Sequence, residues 1–300
     1  GWAADSIFKK EGINTLIIGK DTRISGYMLE TALQAGIIAA GVNVRLVGPM
    51  PTPAISYLAN SFKKQAGIVI SASHNSYEDN GIKFFGDDGK KISDSLEQKI
   101  EQKLAEDMIV VEAKYLGKAE RISDANGRYI EFCKSSLKRD INFSSLKIVL
   151  DVANGAAYDV APKVFRELGA ELIVIADKPD GMNINKDCGS TNIELLKNEV
   201  KKHAADFGLA LDGDGDRLIF VDENSEKLDG DEVLFILARD KFENQITLGP
   251  KGVVGTTMTN KGLELALKEF GIDLIRADVG DRHVLQKLEE LEWELGGEQS

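Results

Sequence analysis

The sequence predicts an α/β protein with three consecutive similar α/β domains, mixed and mostly parallel sheets, and an incomplete third domain. Short apolar strands alternate with helix patterns in three successive rounds, which indicates βαβ units around a parallel sheet. Glycine is plentiful (29 residues) and proline scarce (6), as expected for many tight strand-to-loop transitions. The predicted domains are residues 1–138, 139–229 and 230–300.

The first round combines three predicted strands and two predicted helices with a hairpin. The strands are expected at residues 13–18, 42–47 and 67–70, and the helices at residues 28–40 and 54–62. Residues 82–85 and the polar turn 86–91 predict a hairpin. Ser93 is the expected N-cap of a helix that ends near Glu106.

The alternation then restarts twice. The second round has predicted strands at residues 147–152, 171–175 and 208–211, with helices at 160–168 and 193–205. The third round has predicted strands at residues 252–257, 273–276 and 293–295, with helices at 262–270 and 284–291.

A polar loop follows the third strand of each round, at residues 71–75, 212–217 and 296–300. Ligands of open α/β sheets bind beyond the carboxyl ends of the strands. We therefore expect the three loops to form one shared site.

Composition and charge argue against several classes of protein. The 37 Lys and Arg against 49 Asp and Glu give a formal net charge of −12, which disfavours nucleic-acid and anionic-membrane partners. No apolar run approaches the roughly 20 residues of a spanning helix, and the chain start does not read as a secretory signal. Two cysteines are too few for a disulfide framework, so a reducing cytoplasm is the expected location.

Asp212, Asp214 and Asp216 alternate with glycines and predict a metal site. Three carboxylates this close repel one another unless a cation lies between them, and hard oxygen ligands favour Mg²⁺ or Ca²⁺. An EF-hand loop is the rival interpretation, because Glu223 falls at its twelfth position. Arg217 occupies the sixth position, where that loop requires glycine, and the flanking residues resemble strands rather than helices.

Ser73 and His74 follow an apolar strand and are the candidate reactive pair. The glycine spacing of a nucleophile elbow is absent, so acyl transfer is unsupported. A serine near a magnesium-type carboxylate cluster favours phosphoryl transfer, with Ser73 as the covalent phosphate carrier. A plain polar strand end is the alternative for these two residues alone.

Two basic residues, Lys83 and Arg23, are further candidate site residues. Lys83 is either an ordinary hairpin lysine or an acid/base group, and the second role requires burial or a neighbour to lower its pKa. Arg23, between the first strand and helix, lies at a natural anion-binding position near Lys20 and Ser25. No Walker A spacing is present, so a nucleotide-driven NTPase is disfavoured.

The motifs together resemble the α-D-phosphohexomutase superfamily. Residues 70–75 and 79–85 resemble its phosphoserine loop, residues 211–217 its metal loop, and residues 297–300 the start of its sugar-binding loop. Within that superfamily, residues 180–185, 188–191 and 279–282 are similar to the bacterial phosphoglucosamine mutase branch.

The resemblance implies a role for each candidate residue. Ser73 would be phosphorylated and would complete the shell of one Mg²⁺ ion held by Asp212, Asp214 and Asp216. The remaining implied roles are phosphate or hydroxyl contact for Arg217 and His74, charge handling and proton transfer for Arg23 and Lys83, and sugar binding for Glu298 and Ser300.

The implied reaction is an isomerisation. Glucosamine 6-phosphate and glucosamine 1-phosphate would interconvert through a bisphosphorylated sugar, for UDP-N-acetylglucosamine and peptidoglycan synthesis. A sugar 1,6-bisphosphate would be the activator, a phosphosugar the substrate, and a homodimer is compatible with the resemblance. The alternatives are a phosphomannomutase or phosphoglucomutase, a metal-dependent sugar phosphatase, and a non-catalytic sugar-phosphate-binding relative.

The chain also departs from the family pattern. Ser76 stands where relatives usually have proline, and Asp278 where some have a basic residue. The family's opening strand, the rest of the third loop and the fourth, phosphate-binding domain have no counterpart in these 300 residues. We therefore expect a fragment of a longer enzyme that is poorly active or inactive on its own.

Overall fold

The computed structural model describes residues 1–137, 141–243 and 252–299. Across these ranges the chain divides into two compact units, Gly1–Arg217 and Leu218–Ser300. The predicted boundary between residues 138 and 139 lies outside the described residues. In the described part of the chain, no helix combines the length and the apolar character needed to cross a bilayer.

A mixed sheet of five strands forms the first half of the first unit. Its strands are Thr15–Lys20 (β1), Asn43–Pro49 (β2), Gln65–Ile70 (β3), Ile82–Phe85 (β4) and Ala119–Arg121 (β5). The order is β4-β3-β1-β2-β5, and only the β3/β4 pair is antiparallel. The predicted hairpin is confirmed, with a further bridge between Phe85 and Lys91.

Five helices belong to this half. They are Trp2–Phe8 (α1), Ile24–Ala40 (α2), Thr52–Ser61 (α3), Asp94–Leu104 (α4) and Ala125–Ser135 (α5), with short 3₁₀ segments at Lys9–Glu11 and Ala113–Tyr115. The predicted cap is confirmed, since the Ser93 hydroxyl accepts a hydrogen bond from the Leu96 N–H. The sequence did not predict α1, α5 or β5.

Helix α2 begins at Ile24, four residues before the predicted start. The Ile24 N–H donates to the Gly181 carbonyl (2.9 Å), which gives a first-turn amide a partner outside its own helix. Because that partner lies far along the chain, local periodicity could not show the extra turn.

Helices cover both faces of the first sheet. This agrees with the sequence of β1, which is apolar at successive rather than alternate positions. Leu16 and Ile18 pack with Ile37 of α2 in one core, whereas Ile17 packs with Ile55 of α3 in another. These side chains are fully buried. The resulting rigid sheet fixes the loops that follow β1 and β3.

The second half of the first unit contains three parallel strands, one of which pairs with the other two. Lys147–Asp151 (β6) pairs with Glu171–Ile175 (β7) and Phe207–Leu211 (β8). The helices are Val160–Glu167 (α6) and Glu194–His203 (α7). Ile148, Val149 and Leu150 are fully buried, as expected of a strand covered on both faces.

The second unit starts with the antiparallel pair Leu218–Asp222 (β9) and Lys227–Leu228 (β10). Gly252–Thr256 (β11) then pairs in parallel with Asp273–Ala277 (β12) and Leu295–Gly296 (β13). The helices are Gly230–Glu243 (α8), Lys261–Glu269 (α9) and Asp281–Leu291 (α10). The α/β class with mixed, mostly parallel sheets is confirmed.

Helix α8 was not predicted, and the start of one predicted strand in this unit was wrong. The strand predicted at residues 293–295 begins only at Leu295, because the Trp293 N–H donates to the Leu288 carbonyl (2.9 Å) at the end of α10 and is not available to the ladder.

Candidate active site

Loops from both halves of the first unit meet beyond the carboxyl ends of their strands. Residues 71–76 after β3 form the serine loop, and residues 212–217 after β8 form the metal loop. The Ser73 hydroxyl donates to Asp212 Oδ2 at 2.5 Å. The predicted serine and the predicted carboxylate cluster therefore lie together.

The backbone of Ser73 is strained. Its φ is +50°, in the left-handed region that costs a non-glycine residue about 1–3 kcal/mol and occurs at functional sites. The Ser73 N–H donates to the Ser71 hydroxyl (3.0 Å), which helps to hold the turn. In this backbone conformation the Ser73 side chain is directed at Asp212.

The Arg23 guanidinium is completely buried and donates hydrogen bonds to the backbone of the serine loop. Its Nη2 donates to the carbonyls of Ser73 (3.2 Å) and Asn75 (2.6 Å), and its Nε to the Ser76 carbonyl (3.2 Å). Asp21 pairs with its Nη1 and is also fully buried. Arg23 thus contacts loop backbone and the Asp21 carboxylate, an arrangement that positions the loop.

Asp212, Asp214 and Asp216 each offer one carboxylate oxygen, and these oxygens lie within 4.8 Å of one another. Asp212 and Asp214 are fully buried. Burial, and then the charges of the other two carboxylates, raise the pKa of Asp212 to about 7. A cation between the three groups would relieve this repulsion.

Lys83 on β4 lies against the same cluster. Its Nζ is 2.6 Å from Asp214 Oδ2 and 3.6 Å from Asp216 Oδ2. Burial opposes ionisation of Asp214, but the charge and hydrogen bond of Lys83 outweigh it and lower the pKa of Asp214. Burial likewise disfavours the charged Lys83, yet the carboxylates raise its pKa overall. The condition expected for an acid/base role, a lowered pKa of Lys83, is not met, because its close neighbours are anionic. Lys83 stays charged, so only the proton-donating part of that role is left to it.

The metal loop fits a hard cation. Asp214 Oδ1 is buried and has no hydrogen-bond partner among the described residues. Asp214 Oδ2 is held by the Thr52 hydroxyl (2.5 Å), while the Thr52 N–H donates to the Asp214 carbonyl (2.8 Å). A set of carboxylate ligands that includes one buried oxygen without a hydrogen-bond partner is suited to Mg²⁺ or Ca²⁺.

His74 and Arg217 border the cluster. Burial, then the positive charge of Arg217, lower the pKa of His74 despite the opposing effect of Asp214. A lowered pKa favours the neutral form of the His74 imidazole. The Arg217 N–H donates to Asp212 Oδ1 (3.2 Å), which fixes the end of the metal loop.

Glu298 lies in the second unit, where its Oε1 accepts a hydrogen bond from the Gly280 N–H (2.8 Å). The Gly230 N–H donates to the Gln299 carbonyl (2.9 Å), and Gln299 Nε2 donates to Asp229 (3.1 Å). These bonds anchor the predicted sugar loop within its own unit. Ser300 lies outside the described residues.

Sequence reasoning missed three residues that position this site, Asp21, Thr52 and Asn185. Asn185 Nδ2 donates to the carbonyls of Ser73 (2.9 Å) and Asn75 (3.0 Å). Asp21 and Asn185 stand in segments that the sequence analysis already singled out for neighbouring residues, whereas nothing in the sequence pointed to Thr52. Thr52 and Asn185 bind atoms of residues remote in sequence, namely the Asp214 carboxylate and the Ser73 and Asn75 carbonyls. Asp21 pairs instead with nearby Arg23.

Comparison with known proteins gives a consistent result. Three family models match in chain order, described as phosphoglucomutase/phosphomannomutase alpha/beta/alpha domain I (residues 1–109), domain II (127–227) and domain III (229–300). The phosphoglucosamine mutase of Histophilus somni (strain 2336) is 56% identical over all 300 residues, and that of Ectopseudomonas mendocina (strain ymp) is 58% identical.

A solved structure agrees with the sequence relatives. The phosphoglucomutase/phosphomannomutase family protein from Burkholderia thailandensis superposes with a TM-score of 0.83 at 26% identity, over 99% of this chain and 65% of that one. The chain spans 67% of the length of the two sequence relatives. It is thus about two thirds as long as the proteins it resembles.

Proposed function

The chain belongs to the phosphoglucosamine mutases, isomerases of the phosphohexomutase superfamily, and from this premise we propose that it interconverts glucosamine 6-phosphate and glucosamine 1-phosphate. The observation that carries the proposal is the Ser73 hydroxyl, 2.5 Å from Asp212 beside two further carboxylates. Phosphoryl transfer needs a positioned oxygen and a means of neutralising phosphate charge, and this arrangement supports both.

Ser73 is the proposed phosphate carrier. Its phosphoryl group passes to the free hydroxyl of the monophosphorylated sugar, so that the bond from phosphorus to Ser73 Oγ breaks and a bond to the sugar oxygen forms. The bisphosphorylated sugar reorients, and its other phosphoryl group returns to Ser73. A sugar 1,6-bisphosphate is the activator that first loads the serine.

Asp212, Asp214 and Asp216, with the oxygen on Ser73, would hold one Mg²⁺ ion, which supplies charge neutralisation for the transferred group. In this proposal the neutral His74 accepts the proton of the attacking sugar hydroxyl. Lys83, kept charged by the carboxylates, returns a proton to the departing Ser73 oxygen. Arg217 contacts the phosphate, and Arg23 holds the loop that carries Ser73.

Glu298 and Ser300 are the proposed contacts to the sugar hydroxyls. The three-domain division at residues 138/139 and 229/230 is part of the same proposal. So are a cytoplasmic location, a homodimer, and the lack of a nucleic-acid or membrane partner, which the net charge of −12 supports. The product would feed UDP-N-acetylglucosamine and peptidoglycan synthesis.

The match to phosphoglucomutase/phosphomannomutase domains favours two alternative substrates, a mannose phosphate and a glucose phosphate. Turnover of glucosamine, glucose and mannose 6-phosphates by the full-length enzyme separates the candidates. A mutase specific for glucosamine turns over the first substrate at least about tenfold faster than the others. Release of inorganic phosphate at the turnover rate would instead identify a sugar phosphatase.

The central experiment combines turnover with peptide mapping. We expect a sugar 1,6-bisphosphate and Mg²⁺ to phosphorylate Ser73, and Ser73→Ala to abolish both the modification and turnover. Ser56→Ala is a matched control, because the Ser56 hydroxyl bonds the Gly89 carbonyl (2.6 Å) outside the site. Full turnover by an enzyme whose Ser73 cannot be phosphorylated contradicts the proposal.

A further inference from the structure

Asn185, the last residue of the segment 180–185, is not used by the mechanism above. Its side-chain amide donates to the carbonyls of Ser73 (2.9 Å) and Asn75 (3.0 Å). Its own N–H donates to the Ala153 carbonyl (2.9 Å) in the loop after β6. Asn185 therefore ties the serine loop of the first sheet to the second sheet.

The same two carbonyls also accept from Arg23, at 3.2 Å for Ser73 and 2.6 Å for Asn75. Two side chains from different halves of the unit thus bind one pair of oxygens. We call Arg23 and Asn185 the carbonyl clamp. Ser73, with its left-handed φ, lies within the short stretch that the clamp holds.

The metal loop packs against this clamp. A Cβ atom added to Gly213 would lie 2.6 Å from the Ser73 carbonyl oxygen and 2.7 Å from Asn185 Nδ2. The Ser73 carbonyl is therefore where the serine loop, the metal loop and Asn185 converge. A shift of this carbonyl changes the position of the Ser73 hydroxyl relative to Asp212.

We infer that Asn185 is a positioning residue for phosphoryl transfer, which holds the Ser73 backbone so that the hydroxyl stays against the carboxylate cluster. The inference rests on the proposed function, since it assigns Asn185 to that reaction. Asn185 itself has a left-handed φ of +58°, which Asn and Asp tolerate better than most residues. Asn185→Asp therefore keeps shape and backbone while it replaces the donor with an acceptor.

The test compares Asn185→Asp and Asn185→Ala with the same changes at Asn183 in the full-length enzyme. The Asn183 amide donates to the Lys178 carbonyl (3.0 Å) and its Oδ1 accepts from the Asp180 N–H (3.0 Å), so it also makes two hydrogen bonds, but within its own turn. We expect the Asn185 variants to lower kcat by about 10- to 100-fold, with KM for glucosamine 6-phosphate within about twofold. The Asn183 variants should keep kcat within about threefold.

Amide hydrogen exchange over residues 71–76 is a second readout that needs no turnover. We expect exchange at least about tenfold faster in the Asn185 variants, and unchanged exchange in the Asn183 variants. Equal losses at both positions, a change in KM alone, or unaltered exchange would overturn the inference. If the unsubstituted enzyme shows no mutase activity, the proposed function fails, while the exchange data still decide whether the clamp exists. Should Asn185→Ala not fold, Asn185→Asp carries the test.

Discussion

Gly213→Ala tests whether contact between the metal loop and the serine loop controls the reaction. The φ of Gly213 is not in the left-handed region, so its backbone accepts alanine without strain. The added methyl would lie 2.6 Å from the Ser73 carbonyl oxygen, 2.7 Å from Asn185 Nδ2 and 2.8 Å from Ile184 Cδ1. The effect of the substitution is therefore one of packing between the two loops.

The size of the effect follows from these distances. Ordinary contact begins at 3.4 Å, so the loops must separate by about 0.8 Å. Retreat of the metal loop is restrained, because the Ala156 N–H donates to the Gly213 carbonyl (2.8 Å). We expect a loss of about 1–3 kcal/mol in the free energy of unfolding, as in other overpacked cores. A displacement near 1 Å between reacting groups should lower kcat about 100-fold.

Urea denaturation and turnover measure the two consequences. Gly127→Ala in α5 is the control, because a Cβ there has no neighbour within 4 Å and φ is not left-handed. It should leave turnover unchanged and stabilise the helix by about 0.5–1 kcal/mol. The reasoning is refuted if Gly213→Ala unfolds and turns over like the unsubstituted protein.

Three further predictions concern buried polar groups. Thr52→Val should lower the free energy of unfolding of the metal-free protein by about 1.5–3 kcal/mol in urea denaturation, because Asp214 loses a buried hydrogen bond of 2.5 Å; an unchanged midpoint argues against this role. Lys83→Met should tighten Mg²⁺ binding in calorimetry, because the ammonium competes for Asp214, and should lower kcat at least about 100-fold; weaker binding would contradict the competition. Burial raises the pKa of Asp151 to about 6, so the folded state binds more protons than the unfolded state between about pH 4 and 6, and stability should fall by about 2–3 kcal/mol as pH rises through that window. Asp151→Asn should remove that fall, and parallel pH curves for both proteins would disprove the assignment.

The sequence predicted the parts of the fold that local patterns determine. Apolar strands and their polar loops are local, so β3, β8 and the loops after them were found, and the family, fold class and enzyme class are confirmed. The extra turn of α2 was missed because its amide partner, Gly181, is distant in sequence.

The same distinction between local patterns and partners distant in sequence applies to the candidate site. Ser73 and the three aspartates are found by residue type and spacing, and the structure brings them together. The roles of Thr52 and Asn185 were not predictable, because each acts through a hydrogen bond to a residue more than 100 positions away. The lowered pKa that an acid/base role for Lys83 required is not found, since the sign of the shift depends on which neighbours the fold supplies, and here they are carboxylates.

The hydrogen bond between Ser73 and Asp212 joins residues 139 positions apart. Synthesis of that stretch takes roughly 7–28 s at the usual 5–20 residues per second. During this time the emerging chain holds the first sheet and its serine without the carboxylates, Asn185 or the metal loop. The proposed phosphate carrier therefore lacks its carboxylate partners until β8 and its loop have left the exit tunnel and folded.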